Sequence, residues 1–170
     1  MNELNFIQVK QGNPQHYEIF RDLMIPYNKA FAEHTPDYPI NDENVLQLVQ
    51  SCINMQGPRD RHLELVFAGD APIGFLYGKV DHRRHKGHKK PGYGYIMEFY
   101  VQPEHRRKGY GSAMFRRLEQ HFSAHGVKRM YLNADPVTGE DFWRSMGFLP
   151  TGEIQPHNHM VIWEKEVRKC

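Results

Sequence analysis

Three consecutive cations and two glycines, Arg106-Arg107-Lys108-Gly109-Tyr110-Gly111, stand directly before an amphipathic stretch that runs to Phe122. In that stretch Met114, Phe115, Leu118 and Phe122 share one side of a helical period, Arg116, Arg117 and Glu119 lie elsewhere, and Gly126 is the expected stop. The first-turn amides of a helix have no internal acceptors and point outward, and the helix dipole makes that end positive. Piling like charge there is unfavourable unless an anion sits among the amides. The chemistry to expect is therefore anion binding, with phosphate as the natural group. Gly109 and Gly111 let backbone approach a cluster of oxygens without a Cβ in the way. The dinucleotide fingerprint Gly-x-Gly-x-x-Gly is not met, because Met114 occupies its third glycine position, and the Walker pattern fails as well.

Positioning such a turn needs a strand before it and a helix after it. "YIMEFYV" (Tyr95–Val101) supplies the strand, and Pro103 closes it. Upstream, "NFIQV" (Asn5–Val9) is a short strand, and Asn13-Pro14 offers an N-cap with proline at the first helical position. Tyr17, Phe20, Met24, Tyr27 and Phe31 then mark one helical face, in which Pro26 predicts a kink or a break. A loop follows over Glu33–Pro39. Asn41 or Asp42 caps a second helix bearing Val45, Leu46, Leu48, Val49, Cys52 and Ile53. "HLELVFA" and "PIGFLYGKV" flank Gly69-Asp70 as a hairpin, and the cationic, glycine-bearing segment Asp81–Gly94 is expected to be a long mobile loop. "VKRMYLNA" is a further strand, "TGEDFWRSM" a short helix and "HMVIWEKEV" a final strand, with an extra short strand possible around Gly147–Ile154. The order β-α-α-β-β-β-α-β-α-β predicts an α/β (mixed α+β) fold. Its central, mostly antiparallel mixed sheet has about six to seven strands and is flanked by about four helices. One domain spanning residues 1–170 is expected.

Composition narrows the function classes. Hydrophobic content of 39% and charged content of 25% suit a globular chain. No apolar run approaches the ~20 residues of a membrane span, no secretory signal is expected, and two cysteines make no disulfide framework. The cytoplasm is the expected compartment. Net charge is +2 but uneven, with 6 Lys/Arg against 10 Asp/Glu in residues 1–80 and 16 against 10 in residues 81–170. That asymmetry suits one acidic end and one phosphate-binding end, or ordinary solvated faces.

The segment "VQPEHRRKGYGSAMFRRLEQHF" resembles the acetyl-CoA-binding motif of the GCN5-related N-acetyltransferases, Gln/Arg-x-x-Gly-x-Gly/Ala. Arg106, Gly109 and Gly111 fill its defined positions. The Val101–Glu104 lead-in, "FWRSMGF" (Phe142–Phe148) and "GDAPIGFLYGKV" match the family pattern too, so the resemblance covers about Leu63 to Phe148. It implies that the diphosphate of coenzyme A lies on the amides of Arg106, Arg107, Lys108, Gly109, Tyr110, Gly111 and Ser112. It also implies that the pantetheine arm bonds to backbone near Phe99 and Val101, and that Asn133 contacts the arm. Glu98 is the implied general base, against the plainer reading of a carboxylate on a strand's polar face. The Val101 amide is the implied oxyanion donor. Where the family often has a tyrosine acid for the leaving thiolate, this chain has Trp143. Either the coenzyme A thiolate leaves unassisted or Tyr100, Tyr110 or Tyr131 substitutes, and packing on the cofactor or core is the expected role of Trp143.

The implied acceptor is a primary amine of a small molecule or peptide, with Glu33, Asp37, Tyr38, Asp42 and Glu43 on its side, against the plainer reading of solvated loop charges. A monomer or homodimer is expected, without nucleic acid or membrane partners. A non-catalytic acyl-CoA sensor on the same fold is the alternative, and an RNA-associated adaptor a third reading. His82, His85 and His88 have a spacing that invites zinc, but Arg83, Arg84, Lys86, Lys89 and Lys90 oppose a cation there, so no metal is expected.

Overall fold

The computed structural model describes residues 3–35 and 41–168. In chain order the elements are β1 (Leu4–Gln8), α1 (Pro14–His34), α2 (Asp42–Asn54), β2 (Arg61–Ala68), β3 (Ala71–Val80), β4 (Gly94–Val101), a 3₁₀ turn (Pro103–His105), α3 (Tyr110–Ala124), β5 (Arg129–Asn133), α4 (Glu140–Ser145), β6 (Leu149–Ile154) and β7 (Val161–Glu166). The seven strands form one sheet in the order β1-β2-β3-β4-β5-β7-β6. β1 runs antiparallel to β2, and β7 runs antiparallel to both β5 and β6. β4 and β5, joined through α3, are parallel. The extra strand near Gly147–Ile154 is present as β6, with an irregularity in its pairing to β7 between Pro150 and Ile154.

The residues group into two compact units, Met1–Tyr77 with Glu98–Gly111, and Gly78–Met97 with Ser112–Cys170. In the first, Asn13 Oδ1 accepts from the His16 amide at 3.1 Å and Asn41 Oδ1 from the Asn44 amide at 2.8 Å, so both helices start at the expected caps. Phe20, Leu23 and Met24 of α1 and Val45, Val49, Cys52 and Ile53 of α2 are buried with Leu63 and Leu65 of β2 and Ile73 and Phe75 of β3. Each such side chain contributes about 1.5–3 kcal/mol by leaving water. This packing explains why Pro26 does not break α1, which continues unbroken to His34. One missing N–H is offset by the burial of Phe20, Leu23 and Met24 ahead of it, with Asn28 buried after it. In the second unit, Met114, Phe115, Leu118 and Phe122 are buried with Met130, Leu132, Phe148, Ile162 and Trp163.

The Asp81–Gly94 segment is more ordered than its composition predicts. Asp81 is fully buried, and its Oδ2 accepts the Lys90 amide at 2.8 Å and the Tyr131 hydroxyl. Lys79 Nζ lies 3.1 Å from Oδ1, close enough for an ion pair though off line for a hydrogen bond. The Asp81 amide donates to Tyr93 O, and the Gly92 amide donates to Asp81 O, both at 2.8 Å. Lys90 Nζ is held by Glu153 at 2.6 Å and Glu164 at 2.5 Å. The loop is closed around one aspartate, while Arg83, Arg84 and Lys86 remain exposed.

Candidate active site

The turn between β4 and α3 has the backbone of an anion cradle. Arg107 takes φ 61° and Gly109 φ 82°, while Lys108 between them does not share the positive sign. Such alternation turns successive amides toward one point. A left-handed arginine is uncommon, which marks the turn as a built feature. Among the described residues no acceptor engages the amides of Arg107 through Ser112. Arg106, Arg107 and Lys108 are exposed, and Tyr110 is buried as the first residue of α3. Lys108 Nζ donates to Glu104 O at 2.8 Å, and Arg106 Nε donates to Val101 O at 2.9 Å. The Arg106 guanidinium also lies 5.8 Å from the centre of the Tyr100 ring. These residues fit a diphosphate by donor chemistry: amides in a concave turn, with cations beside them.

β4 carries Glu98, Phe99 and Val101. The Gln102 amide donates to Ile73 O at 2.8 Å, so strand alternation aims the Val101 amide at the opposite edge. The register between β4 and β5 covers Gly94↔Met130 and Tyr95↔Tyr131 and stops there. Gly74 of β3 lies against the Tyr100 carbonyl, where an added Cβ would be 2.0 Å from the oxygen. That close approach needs glycine.

Glu98 Oε2 accepts the Tyr27 hydroxyl at 2.6 Å. The Glu98 residue is only half-buried by surface area, yet protein surrounds its carboxyl closely, and that local crowding governs its charge. Burial pushes the carboxyl up to about 7, and the hydrogen bond from Tyr27 works the other way. Burial, with Glu98 adding to it, likewise pushes the Cys52 thiol up to about 12. A carboxyl that titrates near neutral pH suits a general base.

Glu98, Phe99, Val101 and residues 106–111 fall in one compact unit, and Ser112 and Asn133 in the other. Within its own unit Asn133 donates to Val161 O at 3.2 Å and accepts from the Tyr95 hydroxyl at 3.4 Å. Trp143 is buried edge-on to Phe142, Phe115 and Phe148, with ring centres 4.8, 5.9 and 5.4 Å away. It is a core residue. Burial first, then the Asp81 carboxylate, drives the Tyr131 phenol far above its usual range, so it holds its proton tightly. Burial raises Tyr100 too, against the nearby Arg106. Asp37 and Tyr38 lie outside the described residues. Among the described residues no group of three or more His, Cys, Asp or Glu is placed to hold a metal ion, and no helix is long and apolar enough to cross a membrane.

Sequence reading did not connect Tyr27 to Glu98. Its one signal was a hydroxyl-bearing ring in a largely apolar helical stripe, a signal that Tyr17 shares.

A model of the acetyltransferase (GNAT) family matches residues 16–148. The fold is similar to that of PaiA N-acetyltransferase from Thermoplasma acidophilum in complex with coenzyme A, at TM-score 0.69 and 14% identity over 96% of this chain and 99% of that one. It is similar to Tetrahymena GCN5, at TM-score 0.65 and 16% identity over 98% of each chain. It is also similar to the ribosomal-protein-S18-alanine N-acetyltransferase from Escherichia coli, at TM-score 0.62 and 13% identity over 100% of this chain and 96% of that one. Curated protein sequences give no match. With the family model covering most of its length, the chain belongs to the GNAT acetyltransferase family.

Proposed function

We propose that this protein is an acetyl-CoA-dependent N-acetyltransferase, acting as one domain over residues 1–170. It moves an acetyl group to a primary amine of a small molecule or peptide by direct attack in a ternary complex. The observation that carries the reading is the turn at Arg107–Gly109, whose alternating backbone and adjacent cations suit a diphosphate at the start of α3.

Acetyl-CoA, when bound, supplies an activated acyl carbon as a thioester. The chain's residues do the rest. The amides from Arg107 to Ser112 hold the diphosphate; the Arg106 amide, expected among them, instead donates to Pro103 O at 3.1 Å and closes the 3₁₀ turn, so Arg106 joins Arg107 and Lys108 in adding side-chain charge. Backbone at Phe99 and Val101 aligns the pantetheine arm as an added strand, and Asn133 contacts it. Glu98, charged above about pH 7, accepts the proton an ammonium acceptor must lose before it can attack, directly or through water. The Val101 amide donates to the oxygen that becomes negative during transfer.

The test is thiol release from acetyl-CoA with a panel of amines: a polyamine, an aminoglycoside, lysine and N-terminal peptide amines. Turnover with one of them, lowered at least ~100-fold in Glu98→Gln, is expected. Coenzyme A binding with no turnover across the panel would favour the acyl-CoA sensor instead.

A further inference from the structure

Glu98 and Tyr27 are separated by 71 positions in the chain, yet the Tyr27 hydroxyl lies 2.6 Å from Glu98 Oε2. The donor is rigidly delivered. The Tyr27 ring meets Phe75 at 5.5 Å and 89°, and Tyr100 at 5.5 Å and 52°. Phe75 and Tyr100 touch each other at 5.7 Å, and both are buried. A ring boxed in this way loses its rotamer freedom to packing and arrives at the carboxylate already oriented.

We propose that Tyr27 is the positioning residue of the base: its hydroxyl fixes Oε2, so that the Glu98 carboxylate keeps one orientation and Oε1 takes the proton from the acceptor amine. This rests on Glu98 being the base. The proton passes from the ammonium nitrogen to Oε1, leaving a neutral amine and a protonated Glu98, and Tyr27 keeps its own proton throughout. Positioning by a neutral donor differs in effect from positioning by a cation. Among the described residues no Lys or Arg is ion-paired with Glu98, so the carboxyl stays protonatable near neutral pH. Cys52 from α2 also interacts with Glu98, and Tyr100, two residues on along the same strand, touches the Tyr27 ring. Arg61 of β2 and Tyr77 of β3 interact with Cys52 and with one another.

The experiment uses the full chain with ¹³C-labelled glutamate, and the Glu98 carboxyl resonance is identified by its loss in Glu98→Gln. Tyr27→Phe removes a donor to the charged form, so the titration midpoint of Glu98 should rise by about one pH unit. Because Tyr27→Phe can loosen α1, 3-fluorotyrosine at position 27 serves as the second variant. It keeps the ring and is a stronger donor, so it should lower the midpoint. The pH profile of thiol release, with spermidine and a lysine peptide as probes, should move in the same directions. An unchanged midpoint in both variants overturns the proposal. Unchanged turnover in Glu98→Gln, even with shifted midpoints, overturns the base assignment and with it the role of Tyr27; that failure is visible separately from the first.

Discussion

Replacing Glu98 by glutamine should stabilise the protein in a pH-dependent way. The folded-state carboxyl titrates at about 7 against an ordinary value of 4.5, and burial is the cause. The fold therefore favours the protonated form. Any contribution Glu98 makes is fully present below the unfolded value and is lost as pH rises through the folded one. One pH unit is worth ~1.36 kcal/mol, so the wild-type chain gives up about 3 kcal/mol by the time Glu98 is charged in both states. Glutamine matches the shape of the protonated acid and can still accept from Tyr27, but it has no proton to lose. Against a total stability of roughly 5–15 kcal/mol, that difference is large. Urea unfolding of both proteins from pH 5 to pH 9 reads it out. Glu98→Gln should be within about 1 kcal/mol of wild type at pH 5 and more stable by about 3 kcal/mol above pH 8, with a midpoint difference on the order of 1–2 M urea. A difference that stays flat across this range would refute the claim that Glu98 is held in a charge-disfavouring site. Opposite signs for stability and turnover in this one variant are what a base kept uncharged by burial implies.

Two further outcomes follow from the packing. Gly74→Ala sets a methyl 2.0 Å from the Tyr100 carbonyl oxygen, with backbone and not a flexible side chain in the way, so a loss of about 3 kcal/mol or more is expected in chemical denaturation. A loss under about 0.5 kcal/mol would contradict the close approach. Asp81→Ala leaves the buried Lys79 without its ion-pair partner and frees the Lys90 amide, so a loss of about 3–5 kcal/mol is expected, with faster hydrogen exchange at Gly92 and Tyr93. Unchanged exchange at those two amides would mean that the loop is held by something other than Asp81.

Local signals in the sequence were reliable where one residue type had one physical job. The asparagine caps at Asn13 and Asn41, the Gly69-Asp70 turn between β2 and β3 and the stop near Gly126 are all where short-range chemistry places them. The turn between β4 and α3 was legible as a strand-to-helix turn for the same reason, since its cations, glycines and helix are contiguous. Long-range effects were not legible. Pro26 predicted trouble for α1 because a single missing amide is visible in sequence, whereas the compensating burial of Phe20, Leu23 and Met24 is not. The Asp81–Gly94 segment read as mobile because its cations are adjacent, while Tyr131, Glu153 and Glu164, the residues that fasten Asp81 and Lys90, are distant in the chain. Tyr27 was legible only as an apolar-face residue; its hydroxyl reaches Glu98 only once α1 packs against β4.

The most direct measurement is a ¹H–¹⁵N titration of the protein with coenzyme A, run beside one with pantetheine, which lacks the diphosphate. Coenzyme A should shift the amides of Arg107 through Ser112 to saturation, and pantetheine should leave them in place. Coenzyme A that fails to bind, or binds with those amides unmoved, would contradict a diphosphate held at the start of α3.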